Sequence, residues 1–289
     1  MSKNRLKKRI TWSFEKPVDL LQFDHVHTVC AESRCPNRHE CSRDATATFL
    51  IGGGNCTRKC SFCHISHGKP LPLQEIRQKE KEQILSAVEA LGTRYVVITS
   101  VTRDDDPEGL ALHFQEITLE LKRRGLMVEN LIPDFGGDER LLAIIAEGSP
   151  ETIAHNMESV ERLTPVVRSR AEYKKSLKVL QFYTSHHPKI VVKSGFLTGL
   201  GETFEEMISV MEDLKERGVE ALTIGQYLQP SPRNAEVSKI YSEEEFQKIV
   251  ELNRRFGFPG FAAAPFVRSS YRAHEMYQMV RQKRLENAR

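Results

Sequence analysis

The sequence has no cysteine outside residues 30–63, which excludes a disulfide scaffold spread along the chain. It also lacks any apolar run near the roughly 18 residues that cross a bilayer, so no membrane span is expected. Neither charge dominates, since 42 Lys+Arg stand against 39 Asp+Glu, and a net charge of +3 does not demand a nucleic-acid partner. The basic first residues lack the apolar segment of a secretory signal. We therefore expect a soluble, cytoplasmic protein with one catalytic domain and small additions.

Six apolar, often β-branched runs alternate with helical patterns along most of the chain. Such runs suit strands that are buried on both faces of a parallel sheet. The strands are predicted at residues 46–51, 95–101, 127–132, 153–155, 190–196 and 221–226. The helices are predicted at residues 75–92, 110–124, 138–147, 172–185, 204–217 and 243–257. This alternation predicts an α/β fold, either a barrel or a doubly wound sheet.

Polar residues recur where the predicted strands end. In either architecture the carboxyl ends of the strands gather at one edge, where reactive groups are placed. Each such residue alone could be a solvated loop residue, but the set as a whole favours a shared cavity. Its members are Thr99, Ser100, Asp134, His155, Asn156, Lys193, Ser194 and Gln226.

Cys56, Cys60 and Cys63 have the spacing CxxxCxxC and directly follow the first predicted strand and three glycines. Three thiolates on one short loop can hold three irons of a [4Fe–4S] cluster and leave the fourth iron open. Phe62 supplies an aromatic residue before the last cysteine. A zinc site completed by His64 is the alternative.

A second set, Cys30, Cys35 and Cys41, lies just upstream of the first strand. Zinc would need a fourth ligand, which His27 or His39 could supply. A second cubane cluster with a non-cysteine ligand is the competing interpretation. Two adjacent sets that use every cysteine in the chain favour paired clusters over two independent zinc sites.

The segment CAESRCPNRHEC at 30–41, ATATF at 45–49 and the CxxxCxxC motif resemble the lipoyl synthase family of radical S-adenosylmethionine (SAM) enzymes. The resemblance runs from about residue 23 to about residue 274. Further matching segments are VITSV at 97–101, RDD at 103–105, IPDF at 132–135, HNME at 155–158, KSGF at 193–196, GLGE at 199–202, IGQYLQP at 224–230 and RSSY at 268–271. Thr102, Asp106 and Ala154 depart from the usual family residues, but each only flanks a motif.

The resemblance implies a partial (β/α)6 TIM-like barrel of the radical SAM type over residues 46–257. Residues 1–45 would form a loop-rich N-terminal extension that carries the second cysteine set. Residues 258–289 would form a C-terminal helical extension that contains the RSSY motif.

The resemblance also implies the activity, which is insertion of two sulfur atoms at C6 and C8 of a protein-bound octanoyl-lysine chain to give the lipoyl cofactor. Cys56, Cys60 and Cys63 would hold the [4Fe–4S] cluster that binds SAM, and each product would use two SAM molecules. The implied cofactor contacts are Phe62, Thr99, Arg103, Asp104, Asn156, Glu158, Lys193 and Gln226.

An auxiliary [4Fe–4S] cluster on Cys30, Cys35 and Cys41 would supply the sulfur and be consumed. By the resemblance its remaining ligand is Ser270, with Ser269 as the alternative. Taken alone, these serines would rather indicate an N-cap for a helix at residues 271–285.

The implied partners are an octanoylated lipoyl carrier protein or domain, a one-electron reductant such as ferredoxin or flavodoxin, and cluster repair or assembly proteins. No nucleic acid or membrane partner is expected. Two alternatives stay open: another radical SAM enzyme with a protective auxiliary cluster, and a zinc-stabilised binding module.

Overall fold

The computed structural model describes residues 26–33, 35, 37 and 48–288. At its centre lies a sheet of seven parallel strands that follow one another in chain order. They are β1 (Thr48–Ile51), β2 (Tyr95–Ser100), β3 (Met127–Leu131), β4 (Thr152–Ala154), β5 (Val191–Thr198), β6 (Ala221–Gln226) and β7 (Gly260–Ala264). In the described part of the chain β1 and β7 do not pair with each other, so the barrel is open along one side.

Helices connect the strands and cover the outside of the sheet with their apolar faces. They are α1 (Val29–Glu32), α2 (Leu73–Leu91), α3 (Pro107–Arg123), α4 (Glu139–Glu147), α5 (Thr164–Val167), α6 (Tyr173–His186), α7 (Phe204–Glu216), α8 (Glu243–Phe256) and α9 (Ala273–Asn287). Short 3-10 turns lie at Phe135–Gly137 and Glu161–Leu163. No helix among the described residues is long and apolar enough to cross a membrane.

The helix ends follow local chemistry that the sequence shows. Asp106, one of the departures from the family pattern, caps α3 by accepting a hydrogen bond from the Gly109 N–H at 2.9 Å. Gly125 follows the end of α3 with a positive φ of 75°, a conformation that glycine adopts without a steric penalty. Gly218 follows α7 in the same way, with a φ of 76°.

The predicted partial barrel is confirmed, and the structure adds a seventh strand to the six that the sequence pattern indicates. The sequence of β7 is Gly-Phe-Ala-Ala-Ala, which contains none of the β-branched residues that mark a buried strand. Pairing with β6 places it in the sheet nevertheless. The sheet therefore runs past residue 257, while the division at residues 45 and 257 stays a prediction.

The C-terminal helix α9 closes the amino end of the barrel. Its Met276 and Val280 are buried against Val191 and Ala221, the first residues of β5 and β6. A second small cluster joins Ala273 of α9 to β2. With this end covered by a helix, the carboxyl ends of the strands are left for a site.

Candidate active site

A cavity of about 540 Å³ lies at the carboxyl end of the strands. Every cysteine of the described residues lines it, and they come from both sets: Cys30, Cys35, Cys56, Cys60 and Cys63. Cys41 lies outside the described residues. Two cysteine sets that are separate in sequence thus face a single space.

Cys56 is fixed by the backbone around it. Its N–H donates to the Ser66 carbonyl at 2.8 Å, and its carbonyl accepts from the Gly68 N–H at 3.2 Å. Its Sγ accepts two backbone hydrogen bonds, from Arg58 at 3.4 Å and from Thr102 at 3.3 Å. Because such N–H groups stabilise negative charge on sulfur, this position suits an iron-bound thiolate.

Cys60 and Cys63 are less accessible to water. Burial raises the pKa of the Cys63 thiol to about 12 and raises the pKa of Cys60 above its usual value. Because iron takes cysteine as the thiolate, cluster assembly on this loop must release those protons. The residues present therefore fit a group that supplies strong positive charge.

The geometry of this loop does not support a zinc site. In the described ranges no three His, Cys, Asp or Glu side chains are grouped so that they could hold a single metal ion. His64, the alternative fourth ligand, has its Nδ1 3.4 Å from Asn234 Oδ1. Cys56, Cys60 and Cys63 all line the cavity.

Arg58, inside the CxxxCxxC motif, links the cysteine loop to two carboxylates on neighbouring loops. It forms paired hydrogen bonds to Asp134, with N–O distances of 2.7 and 2.8 Å, and to Asp104, the closest at 2.8 Å. Burial alone would raise the pKa of Asp134, but Arg58 outweighs it and lowers that pKa to about 2. The same two carboxylates overcome the effect of burial on Arg58 and raise its pKa.

Five of the eight predicted cofactor contacts line the cavity: Phe62, Thr99, Asn156, Glu158 and Gln226. Asn156 Nδ2 donates to Glu158 Oε1 at 2.9 Å, so these two side chains form one polar unit. Burial raises the pKa of Glu158, and the charge of Arg168 opposes that shift. Glu158 also has a positive φ of 62°, and strain of this kind at a non-glycine residue is typical of functional sites.

Gln226 faces the same cavity with its amide already engaged. Its Nε2 donates to the carbonyls of Thr198, Tyr227 and Lys239, and its Oε1 accepts from the Tyr241 N–H at 3.0 Å. These bonds fix the segment that follows β6. Gln226 therefore shapes the cavity wall more than it offers free polar groups.

The other three predicted cofactor contacts do not line the cavity. Lys193 is buried beneath it, where its Nζ lies 2.8 Å from Glu129 Oε1. Asp104 reaches the cavity only through Arg58. Arg103 is turned away and bonds to Asp105 and to two backbone carbonyls.

The RSSY motif lies beside Cys30 and Cys35 of the second cysteine set. Ser270 Oγ accepts from Thr48 Oγ1 at 2.8 Å, and a small recess is lined by Cys30, Cys35, Ser270 and Arg268. Burial lowers the pKa of Arg268, and the charge of Cys35 opposes that shift. This arrangement brings the serine chosen from the sequence close to two of its three expected cysteine partners.

Neither serine caps a helix. Helix α9 begins at Ala273, and its N-cap residue is Arg272, which has a φ of 50° and no capping side chain. Ser269 Oγ instead donates to Asn156 Oδ1 at 2.9 Å. The N-cap interpretation is therefore wrong, and both hydroxyls point to the site.

The sequence does not reveal Arg168, which lines the cavity from the loop after α5. Its Nη1 donates to Met157 O at 3.1 Å and to Ser176 Oγ at 2.9 Å. Ser176 Oγ lies 2.9 Å from His155 Nε2, and His155 Nδ1 lies 2.9 Å from Ile132 O. No motif or periodicity marks Arg168, although its partners Met157 and Ser176 lie only 11 and 8 residues away.

Comparisons with known proteins identify the family of the chain. The pattern of the Radical SAM superfamily matches residues 50–214. A lipoyl synthase of Rubrobacter xylanophilus is 43% identical over 89% of this chain and 79% of its own length. A lipoyl synthase of Caldicellulosiruptor saccharolyticus is 42% identical over 96% of both chains. This chain belongs to the lipoyl synthase family.

A lipoyl synthase is a radical SAM sulfurtransferase, so this family member uses a [4Fe–4S] cluster and SAM. The resemblance that the motifs indicate is thereby confirmed, and a zinc-stabilised binding module is excluded. Among solved structures, methylornithine synthase has a TM-score of 0.56 at 19% identity over 74% of this chain and 63% of its own. The hydrogenase maturase HydG from Carboxydothermus hydrogenoformans has a TM-score of 0.57 at 15% identity over 81% and 56%. These structures share the fold.

Proposed function

We propose that this lipoyl synthase inserts two sulfur atoms, at C6 and C8, into an octanoyl chain on a carrier lysine and takes both from its own second cluster. The observation that carries the proposal is the single cavity lined by cysteines of both sets. A SAM-cleaving group and a sulfur-donating group must both reach the same alkyl chain, because a carbon radical is too reactive to travel. One shared space meets that requirement.

Cys56, Cys60 and Cys63 would hold the first cluster, and the two N–H groups that point to Cys56 Sγ would stabilise it. When bound, this cluster supplies the electron that cleaves SAM to methionine and a 5′-deoxyadenosyl radical. Asn156 and Glu158 together suit the ribose and the charged amino acid part of SAM. The further contacts would come from Phe62 and Thr99.

Cys30, Cys35 and Cys41 would hold the auxiliary cluster, with Ser270 as the remaining ligand. A serine oxygen binds iron less strongly than a thiolate does, and a weak corner suits a cluster that gives up its sulfide. Ser270 Oγ already accepts a hydrogen bond from Thr48 Oγ1, so the serine side chain keeps a partner when iron is lost. Ser269 is less suited, because it is bonded to Asn156.

Arg103, Asp104, Lys193 and Gln226 would support the site without contacting SAM. Each has its polar atoms engaged by the protein. Lys193 neutralises Glu129 below the cavity. They would shape the site rather than bind the cofactor.

The partners follow from this chemistry. The substrate would be an octanoylated lipoyl carrier protein or domain, and each product would use two SAM molecules. Ferredoxin or flavodoxin would supply single electrons. Cluster repair or assembly proteins would restore the donor after use.

The test is anaerobic turnover of an octanoylated carrier with enzyme whose clusters were reconstituted with isotopically heavy sulfide. Mass spectrometry should find the label in both product sulfurs. A lipoyl product with unlabelled sulfur would return Cys30, Cys35 and Cys41 to a structural or electron-transfer role. A carrier without added sulfur would favour the alternative of a protective auxiliary cluster.

A further inference from the structure

The cluster motif lies on a long excursion from the barrel, which we call the cluster loop and define as residues 52–71. It leaves the sheet directly after β1 and ends just before α2. Inside it, the backbone bonds of Cys56 to Ser66 and Gly68 join the two limbs. The position of the loop relative to the barrel therefore depends on the contacts at its two ends.

Arg103 bonds to both ends at once. Its Nη1 donates to the Gly52 carbonyl at 3.0 Å, and its Nη2 donates to the Leu71 carbonyl at 2.9 Å. Asp105 holds the same guanidinium by two further bonds of 2.9 Å. The Arg103 side chain is almost fully buried, with 1% of its surface exposed, whereas Asp105 is 42% exposed, so the buried bond to the Gly52 carbonyl is the best shielded from water.

Glu80 of α2 holds the first end from the other side. Its carboxylate accepts from the N–H groups of Gly52 and Gly53 at 3.0 and 2.8 Å. His113 Nε2 lies 2.8 Å from the same carboxylate. Gly52 is thus bonded through its N–H to Glu80 and through its carbonyl to Arg103.

Gly52 and Gly53 have positive φ values of 87° and 89°, which only glycine adopts without strain. A freely rotating pair of glycines would leave the start of the loop poorly defined. The ionic groups on both sides of Gly52 remove that freedom. Because Gly52 is held to the barrel in this way, the barrel also restricts the position of Cys56, four residues further on.

We propose that Arg103 and Glu80 are positioning residues that clamp the two ends of the cluster loop and so set where the SAM-binding cluster stands. Arg103 acts through backbone carbonyls and does not touch SAM. The inference rests on the proposed function only in taking this loop to carry a cluster.

The test compares Arg103→Lys with Arg284→Lys in the full, anaerobically reconstituted chain. Arg284 is a matched control, because it also donates to two carbonyls, of Lys189 and Ile190, and pairs with one carboxylate, of Glu220. A lysine ammonium cannot reproduce the fork that spans two carbonyls. Asp105→Asn is a milder second variant, in case Arg103→Lys does not fold.

Hydrogen exchange in the cluster loop should rise about tenfold or more in the Arg103 variant, because one buried bond to a charged group shifts opening by that much. It should rise by a smaller factor in the Asp105 variant, because that carboxylate is 42% exposed. In a Cys35→Ala background, where only the SAM-binding cluster is expected, a chelator should bleach the cluster faster by a similar factor. Arg284→Lys should match the parent protein in both measurements within this segment.

Unchanged exchange in the cluster loop together with weakened SAM binding would overturn the proposal and make Arg103 a cofactor contact. Equal loosening of the whole barrel would overturn it too. Neither measurement needs a lipoyl product, so failure of the sulfur-insertion proposal would be seen separately in the isotope experiment.

Discussion

Ser270 is the residue on which the sulfur-donor proposal depends most directly. Ser270→Ala should abolish sulfur insertion and change the Mössbauer signal of one iron of the auxiliary cluster, because that iron loses its oxygen ligand. Ser269→Ala removes a hydroxyl one residue away and should leave that iron signal as it is. An altered iron signal in the Ser269 variant, with Ser270→Ala unaffected, would exchange the two roles.

His155 makes the folding stability of the protein depend on pH. Burial, assisted by the charge of Arg168, lowers the pKa of His155 to about 4. The unfolded chain therefore binds a proton at higher pH than the folded chain does. The stability that His155 contributes is complete above pH 6.5 and is lost as the pH falls towards 4.

The consequence can be measured by thermal unfolding. Between pH 7.5 and 5.5 the free energy of unfolding should fall by about 1 kcal/mol through this residue. His155→Gln keeps a polar side chain without titrating, so its stability should vary less over that range. Equal pH dependence in both proteins would show that His155 is not buried in its neutral form.

Sequence reasoning at this scale succeeds where a motif is local and fails where a partner is distant. The spacing of Cys56, Cys60 and Cys63 itself indicates cluster ligands, whereas Ser270 was predicted only from the family resemblance. Arg103 and Lys193 were expected at SAM, but their partners are the Leu71 carbonyl and Glu129, far away along the chain. Arg168 was missed because it belongs to no motif, although its partners Met157 and Ser176 are near it in sequence.

At the scale of elements, the two cysteine segments should be separable. Cys35→Ala should retain cleavage of SAM to 5′-deoxyadenosine and lose sulfur insertion, since cleavage needs only the cluster of the cluster loop. Cys60→Ala should lose both. Chromatography of the nucleoside and mass analysis of the carrier measure the two steps, and a lipoyl product from the Cys35 variant would contradict the division.

Helix α9 should stabilise the barrel from its amino end. Val280 is fully buried there, so Val280→Ala should lower the free energy of unfolding by about 2 kcal/mol through lost packing. Met279 is its neighbour with 51% of its surface exposed, and Met279→Ala should change stability by less than about 0.5 kcal/mol. Comparable losses in anaerobic thermal unfolding would mean that α9 does not close the barrel.

The elements themselves were largely readable from the sequence, because apolar runs and helical periods report burial directly. Strand β7 was not predicted, as three alanines carry little such signal, and neither were the four-residue helices α1 and α5. The start of α9 was predicted two residues too early. Arg272 adopts a left-handed backbone conformation, which is unusual for arginine and cannot be expected from its residue type.

For the whole molecule, the proposal limits what one chain can do. If both sulfur atoms leave the auxiliary cluster, turnover without repair proteins should stop near one lipoyl group per chain. Reconstituted enzyme should hold about eight irons, from about four in each cubane. Quantifying product against chain under anaerobic conditions checks the limit, and many products per chain from unrepaired enzyme would disprove consumption.

The open side of the barrel, between β1 and β7, is where the proposed sulfur donor would be replaced after each product. No ladder joins β1 to β7 in the described residues, and Thr48 of β1 meets Ser270 across that side through one hydroxyl contact. Asn37 Nδ2 also donates to the Phe266 carbonyl just past β7, and neither contact belongs to the ladders between neighbouring strands. Under the proposed function, a spent sulfur donor at this place would therefore be replaced without breaking the hydrogen bonds that hold the strands of the barrel together.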